Sequence, residues 1–402
     1  MNAALDELAE SQQAYFAAGH SRDLEARRGS LRRLAAALER RCEEALAALA
    51  EDLGKPSLEA WLAELHFVRS EIDHLVRHLP RWAQPRRYGN PFYFFPARSE
   101  VRHEPQGRVL IAGPWNYPLL LALSPVIAAV GAGNCVTLKP SEQAPASSRF
   151  LASLVAEVFK PGHVAVVEGG AETGAALIAQ PFDHYFYTGG EAVGRHYAEA
   201  AARQLAPVTL ELGGKCPCVI DEDCDLALAA ERIVVAKFFN AGQTCVAPDF
   251  VVVPAALREE FVRHAAAEIE RNYGTGQSPD LARIVNDRHY ERLLALLPSE
   301  TLRIGTDDRD NRYLAPRLLP EAGWEAPAMQ EEIFGPILPV LTHDGLEPLL
   351  DKLAGLPEPL ALYAFSRNRK VLERIAARGR SGAVGFNDVM KPASNPRLPL
   401  GG

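Results

Sequence analysis

Thirty consecutive residues, 109–138, read VLIAGPWNYPLLLALSPVIAAVGAGNCVTL and carry no charge. A run of that length belongs in a bilayer or in a protein core. Pro114, Pro118, Pro125, Gly131 and Gly133 divide it, and it retains Asn116 and Asn134. A single spanning helix would not be broken so often. Cut at those points, the run becomes a strand, a helix and a second strand, apolar on every side. That is the repeating unit of a buried parallel sheet.

The flanking sequence continues the alternation. RVLIAG and NCVTLKP are followed by a helical pattern over 147–159, then VAVVEG, a helix over 173–179, HYFYTGG and PVTLELGG. After Gly214 it restarts with CPCVID, a helix over 226–239, DFVVVP, a helix over 259–273, ALYAFS and AVGFND. Two α/β units joined near 212–214 are expected. Upstream, Leu31, Leu34, Leu38, Cys42, Leu46 and Leu49 form one stripe of a helix over 21–53, stopped by GKP at 54–56. A second helical pattern covers SLEAWLAELHFVRSEIDHLVRHLPRW, residues 57–82, ending near Pro80. Between 83 and 104, AQPRRYGNPFYFFPARSEVRHE alternates turn formers, aromatics and charges, as an extended arm or hairpin does.

Bulk properties exclude several function classes. The net charge is −8 and the 43 Lys and Arg residues are scattered, so no basic footprint for nucleic acid exists. The N-terminal MNAALDELAESQQ lacks a basic region before an apolar run, so no secretory leader or membrane anchor is expected. Without one, the six cysteines read as thiols in a cytoplasmic protein rather than as a disulfide framework. In KCPCVIDEDC the spacing of Cys216 and Cys218 suits one side of a strand better than zinc. His74 and His78 are one turn apart, but no Glu follows His74 and no third ligand is evident. No metal is assigned.

Three features carry chemistry. YTGGEAVG places Gly189, Gly190 and Gly194 between a strand and a helix, where free amides suit a phosphate. LKPSE puts Lys139 at a strand end with Glu142 three residues on; a surface lysine is the plain alternative. FFNAGQTCVAP sets Cys245 after a poor helix start, and a cysteine is either a small buried hydrophobe or a nucleophile with helpers. Taken singly, Asn116 reads equally as a helix cap, Glu211 as a partner for a surface lysine, and Glu332 as a solvated helix end.

In order, GPWNYP, LKPSE, YTGGEAVG, TLELGGK, FFNAGQTC, EEIFGP and LPLGG resemble the signature segments of the aldehyde dehydrogenase superfamily. The resemblance runs from about residue 10 to Gly402, and LHFVRSEIDHLVRHLPRW is similar to its class 3 branch. It implies an α/β fold of two doubly wound domains, cofactor-binding (1–85 and 105–211) and catalytic (212–402), plus an oligomerisation arm (86–104). It implies oxidation of a small-molecule aldehyde, medium-chain aliphatic or aromatic, to its acid with NAD, NADP also being possible. Cys245 would attack, Asn116 and the Cys245 amide would hold the oxyanion, and Glu211 would activate water. Lys139 and Glu142 would face the adenosine ribose, and Thr188, Gly189 and Gly194 the pyrophosphate. Glu332 would face the nicotinamide ribose with Phe334 nearby, and Trp115 and Leu212 complete the cofactor set. A homodimer is implied.

Two departures stand out. Gly190-Glu191 replaces the usual Ser-Thr, which implies weaker cofactor affinity. The family continues past LPLGG, with a strand that pairs with the arm, so the catalytic domain reads as truncated. The rival readings are a CoA-acylating dehydrogenase, which needs no general base, and a non-catalytic scaffold that kept the fold.

Overall fold

In the computed structural model, residues 2–392 are described together with Ser394, Asn395 and Leu398. Pro399 to Gly402, most of the LPLGG segment, lie outside the described residues. The chain divides into two units, Met1–Asp52 with Ala60–Glu211 and Leu53–Glu59 with Leu212–Gly402.

In the first unit the arm is a hairpin of β1 (Arg86–Tyr88) and β2 (Ser99–Val101), antiparallel, with Arg86 opposite Val101 and every strand residue exposed. The sheet contains β3 (Arg108–Ala112), β4 (Cys135–Lys139), β5 (Val164–Val166), β6 (His184–Gly189) and β7 (Val208–Leu212) in the order β5-β4-β3-β6-β7. β3 pairs in parallel with β4 and β6, and β4 with β5. The uncharged run therefore folds as β3, helix Leu120–Ala132 and β4, with β3 and β4 buried throughout. Val109, Ile111, Val136 and Leu138 share one core with Leu31, Leu34 and Leu38 of helix Leu24–Arg40 and with Val68 and Ile72 of helix Phe67–Trp82. The chain fills β3, β4 and β5 outward and then returns to the other side of β3. The carboxyl ends of β3 and β6 thus flank the point where strand order reverses, the usual ligand crevice of such sheets.

One helix expectation needs correction. The helix over 21–53 is two helices, Leu24–Arg40 and Cys42–Leu53. They part at Arg41 (φ −104°, ψ 22°), whose guanidinium turns to Glu44 and to the Ser153 hydroxyl, each at 2.8 Å. The second helix ends near Pro80 as expected: it runs to Trp82 with Pro80 inside its last turn. Proline deprives the carbonyl four residues back of its donor. Here Arg28 Nε donates to that Val76 carbonyl at 3.1 Å, so the helix continues. Its N-terminal side begins with a π-turn over Trp61–His66.

Among the described residues the second unit holds one seven-stranded sheet, built from β8 (Pro217–Ile220), β9 (Phe250–Pro254), β10 (Leu302–Arg303), β11 (Arg317–Leu319), β12 (Ile337–His343), β13 (Ala361–Phe365) and β14 (Ala383–Phe386). The order is β10-β11-β12-β9-β8-β13-β14, with only the β10–β11 pair antiparallel. Alternate residues feed two cores. Val251, Val253 and Tyr363 face one, while Phe250, Val252 and Leu362 face the other, so this sheet is also covered on both sides.

Candidate active site

Helix Leu226–Phe238 begins on Asp225, whose carboxylate accepts from the Leu228 amide at 3.2 Å. Past its end the chain takes three left-handed residues in succession: Asn240 (φ 52°), Ala241 (φ 51°) and Gly242 (φ 74°). Only glycine adopts this conformation without steric cost. A side chain at Gly242 would also overlap the Gly335 carbonyl. Gln243, wholly buried, fixes the turn from within. Its Nε2 donates to the carbonyls of Asn240 (3.1 Å) and Arg283 (2.9 Å), and its Oε1 accepts from the Val285 amide at 3.0 Å. Asn240 Nδ2 donates to the Gln243 carbonyl at 3.1 Å. The stretch is a poor helix start because it reverses the chain. The turn delivers Cys245 half-buried, between the buried Thr244 and Val246.

The Cys216 thiol donates to the Cys245 carbonyl at 3.3 Å and accepts from the Ala361 amide at 3.3 Å. Burial pushes the Cys216 pKa well up, so this sulfur stays a protonated donor. Cys218 is likewise fully buried and pushed up by burial. Among the described residues no group of three His, Cys, Asp or Glu side chains is placed to hold a metal.

A buried charge cluster lies in the same unit. Lys215 pairs with Asp249 and donates to the carbonyls of Ala328 and Glu331, both at 2.8 Å. Asp249 Oδ1 accepts from the Ile333 amide at 2.9 Å, which pins the EEIFGP turn. Glu332 is not a solvated helix end. It is half-buried and lies against Gly213, where a side chain would overlap its carboxyl group. Burial, then the Asp249 charge, push its pKa up to about 8, against the Gly214 amide, Lys215 and Lys237. Lys237 is buried, and burial pulls its pKa down to about 8 against the attraction of Asp249. Phe334 follows in a left-handed conformation (φ 51°), half-buried.

In the first unit, Asn116 is buried in the loop after β3, and Trp115 is half-buried. Asn116 does not cap the next helix, whose first residue follows Leu119. The amides there are served by Glu64, wholly buried on the π-turn, whose Oε2 accepts from Leu119 (2.8 Å) and Leu120 (3.2 Å). Lys139 ends β4 as a buried residue, not a surface one, and donates to Glu142 (2.9 Å) and the Pro140 carbonyl (3.1 Å). Burial works against ionisation of Glu142, but the hydrogen bond and charge of Lys139 prevail and hold its pKa low. Thr188 and Gly189 end β6; Gly189 (φ 157°) lies where a side chain would meet the Tyr187 hydroxyl. Gly190 caps helix Glu191–Gln204 with no side-chain bond, and Gly194 is buried in its first turn. Glu191 is turned to Arg195. Glu211 is half-buried on β7, and burial raises its pKa; among the described residues it forms no ion pair. Leu212 ends β7, half-buried.

The aldehyde dehydrogenase family model matches residues 2–402. This chain belongs to the aldehyde dehydrogenase family. It is 39% identical over 394 residues to 4,4'-diaponeurosporen-aldehyde dehydrogenase of Staphylococcus aureus, covering 97% of this chain and 86% of the relative. It is also 39% identical to the rat "Aldehyde dehydrogenase, dimeric NADP-preferring", covering 96% and 86%. A solved structure titled "Substrate bound state of Staphylococcus Aureus AldH" superimposes with a TM-score of 0.97 at 38% identity, over 99% of this chain and 88% of that one. The fold is the α/β aldehyde dehydrogenase fold, and the protein is an NAD(P)-dependent oxidoreductase that converts an aldehyde to its carboxylic acid.

Sequence reading missed Lys215, Lys237 and Asp249. Lys237 and Asp249 are ordinary charged residues in an apolar context to which only burial gives meaning, and Lys215 is the half-buried end of TLELGGK. Asp249 alone had a local signal, a carboxylate at the head of the VVV strand.

Proposed function

We propose that Cys245 is the nucleophile of this dehydrogenase, that Asn116 and the Cys245 amide hold the oxyanion, and that Glu211 is the general base. The observation that carries this reading is the left-handed turn at Asn240–Gly242, a costly backbone arrangement kept three residues before a half-buried thiol. Strain of this kind gathers where a group must be aimed.

The residues at the cofactor positions fit a dinucleotide. Gly189 and Gly213 leave backbone space, the helix at Gly190 offers uncapped amides, and Lys139 and Glu142 form a set pair at the end of β4. Lys139 and Glu142 would hold the adenosine ribose, Thr188, Gly189 and Gly194 the pyrophosphate, and Glu332 the nicotinamide ribose. Trp115, Leu212 and Phe334 would complete the walls. When bound, the nicotinamide accepts the hydride that leaves the aldehyde carbon. The Cys245 sulfur forms the thiohemiacetal and then carries the acyl group as a thioester. The Asn116 amide donates to the oxygen as it gains charge. Glu211, its pKa raised by burial, takes a proton from the water that releases the acid.

The substrate class is a medium-chain aliphatic or aromatic aldehyde. A cytoplasmic setting is proposed, in keeping with six free thiols. A homodimer is supported by the exposed aromatic arm, on which Phe92 and Phe95 are almost fully exposed. The test is product analysis with octanal and benzaldehyde. NADH and carboxylic acid are expected in equal amounts without CoA; turnover that needs CoA and yields acyl-CoA would overturn the role of Glu211.

A further inference from the structure

Residues 53–59, LGKPSLE, belong to the second unit although the chain on both sides belongs to the first. The excursion is firmly seated. The Leu53 carbonyl accepts from the Arg283 amide at 2.6 Å, Lys55 is buried, and Gly54 (φ 54°) lies against the Arg283 side chain. At its end the buried Glu59 accepts a hydrogen bond from the Asn240 amide at 3.0 Å, through Oε1.

That amide belongs to the first of the three left-handed residues before Cys245. Two of the three, Asn240 and Ala241, are not glycine, so the turn does not hold itself. Gln243 braces its far side through Asn240, Arg283 and Val285. Glu59 braces its near side from a distant part of the chain. A buried backbone amide left without an acceptor is costly, so this bond weighs on the turn.

We propose that Glu59 is a positioning residue for the nucleophile: by holding the Asn240 amide it keeps residues 240–242 in the left-handed turn that aims Cys245. It acts through the backbone. The inference rests on Cys245 being the nucleophile, so its test reads the thiol directly as well as turnover.

The rate of Cys245 alkylation by iodoacetamide is followed by peptide mass spectrometry, beside kcat and the KM for NAD. Glu59→Ala is expected to slow alkylation and kcat together by about tenfold or more, leaving the KM for NAD within about twofold, as expected for a displaced reacting atom. Glu59→Gln keeps an acceptor oxygen and is expected to remain within about threefold of wild type. Adding Ala241→Gly to Glu59→Ala is expected to recover much of the lost rate, because glycine takes the left-handed conformation unaided. Glu59→Asp keeps the carboxyl group but withdraws the oxygen; it replaces Glu59→Ala in the comparison if that variant fails to fold, with the same slowing expected. Wild-type alkylation in folded Glu59→Ala or Glu59→Asp overturns the proposal. So does a Glu59→Gln as impaired as Glu59→Ala with no rescue by Ala241→Gly. If Cys245→Ala retains turnover, the reading of Cys245 fails instead, while alkylation in the Glu59 series still reports on the turn.

Discussion

Glu332 and Glu211 are carboxyls that burial pushes upward, with different consequences for the reaction. Glu332 is expected to accept from ribose hydroxyls, which its ionised form does more strongly than its protonated form. With a pKa pushed up to about 8, it holds a proton in the free enzyme below that pH. Cofactor binding then favours release of that proton, so affinity is expected to rise with pH up to about 8 and level off above it. The KM for NAD in wild type should fall accordingly across this range, and in Glu332→Gln it should be higher and flat. Glu211→Gln should behave differently: a fast NADH burst with steady turnover reduced by roughly 10²–10⁴-fold, as loss of a general base predicts. Stopped-flow absorbance separates the two phases, and a lost burst would place Glu211 before hydride transfer. Most of these residues were legible as ordered motifs. Lys237 and Glu59 were not, because a lysine and a glutamate in helical sequence look solvated until the fold buries them.

At the scale of elements, Pro80 is tolerated inside helix Phe67–Trp82 because Arg28 takes the orphaned Val76 carbonyl. Arg28→Ala should therefore cost about 1–2 kcal/mol, the usual penalty for an abandoned backbone acceptor. Adding Pro80→Ala should restore most of it by returning the helix's own donor, and paired urea melts would show this. Equal losses with either residue at position 80 would mean that only the exposed Glu25 pair or side-chain packing was removed. The same helix shows what local sequence conceals. Strands β3 and β4 were legible because they are apolar on both faces. The break at Arg41 was not, since its partner Ser153 lies more than a hundred residues away. The π-turn at Trp61–His66 was equally hidden, because Glu64 on it answers amides at Leu119 and Leu120.

For the whole molecule, the net charge of −8 contrasts with an arm that exposes Arg86, Arg87, Arg98 and Arg102 beside Tyr88, Phe92, Tyr93 and Phe95. An apolar and basic surface on an acidic protein suits a second copy of the chain. Phe92→Glu combined with Phe95→Glu should shift the mass in light scattering from dimer to monomer without unfolding either sheet; an unchanged mass would remove the arm from the interface. The fold as a whole was legible because alternating strand and helix patterns leave few topologies open. How the chain leaves the first unit for residues 53–59 was not, since nothing in LGKPSLE marks it as part of another core. Under the proposed mechanism the aldehyde is oxidised on Cys245. The direct measurement is NADH absorbance with octanal or benzaldehyde, wild type beside Cys245→Ala at matched fold and concentration. Turnover in wild type with none above background in Cys245→Ala is the predicted result; comparable NADH formation in the two proteins would contradict it.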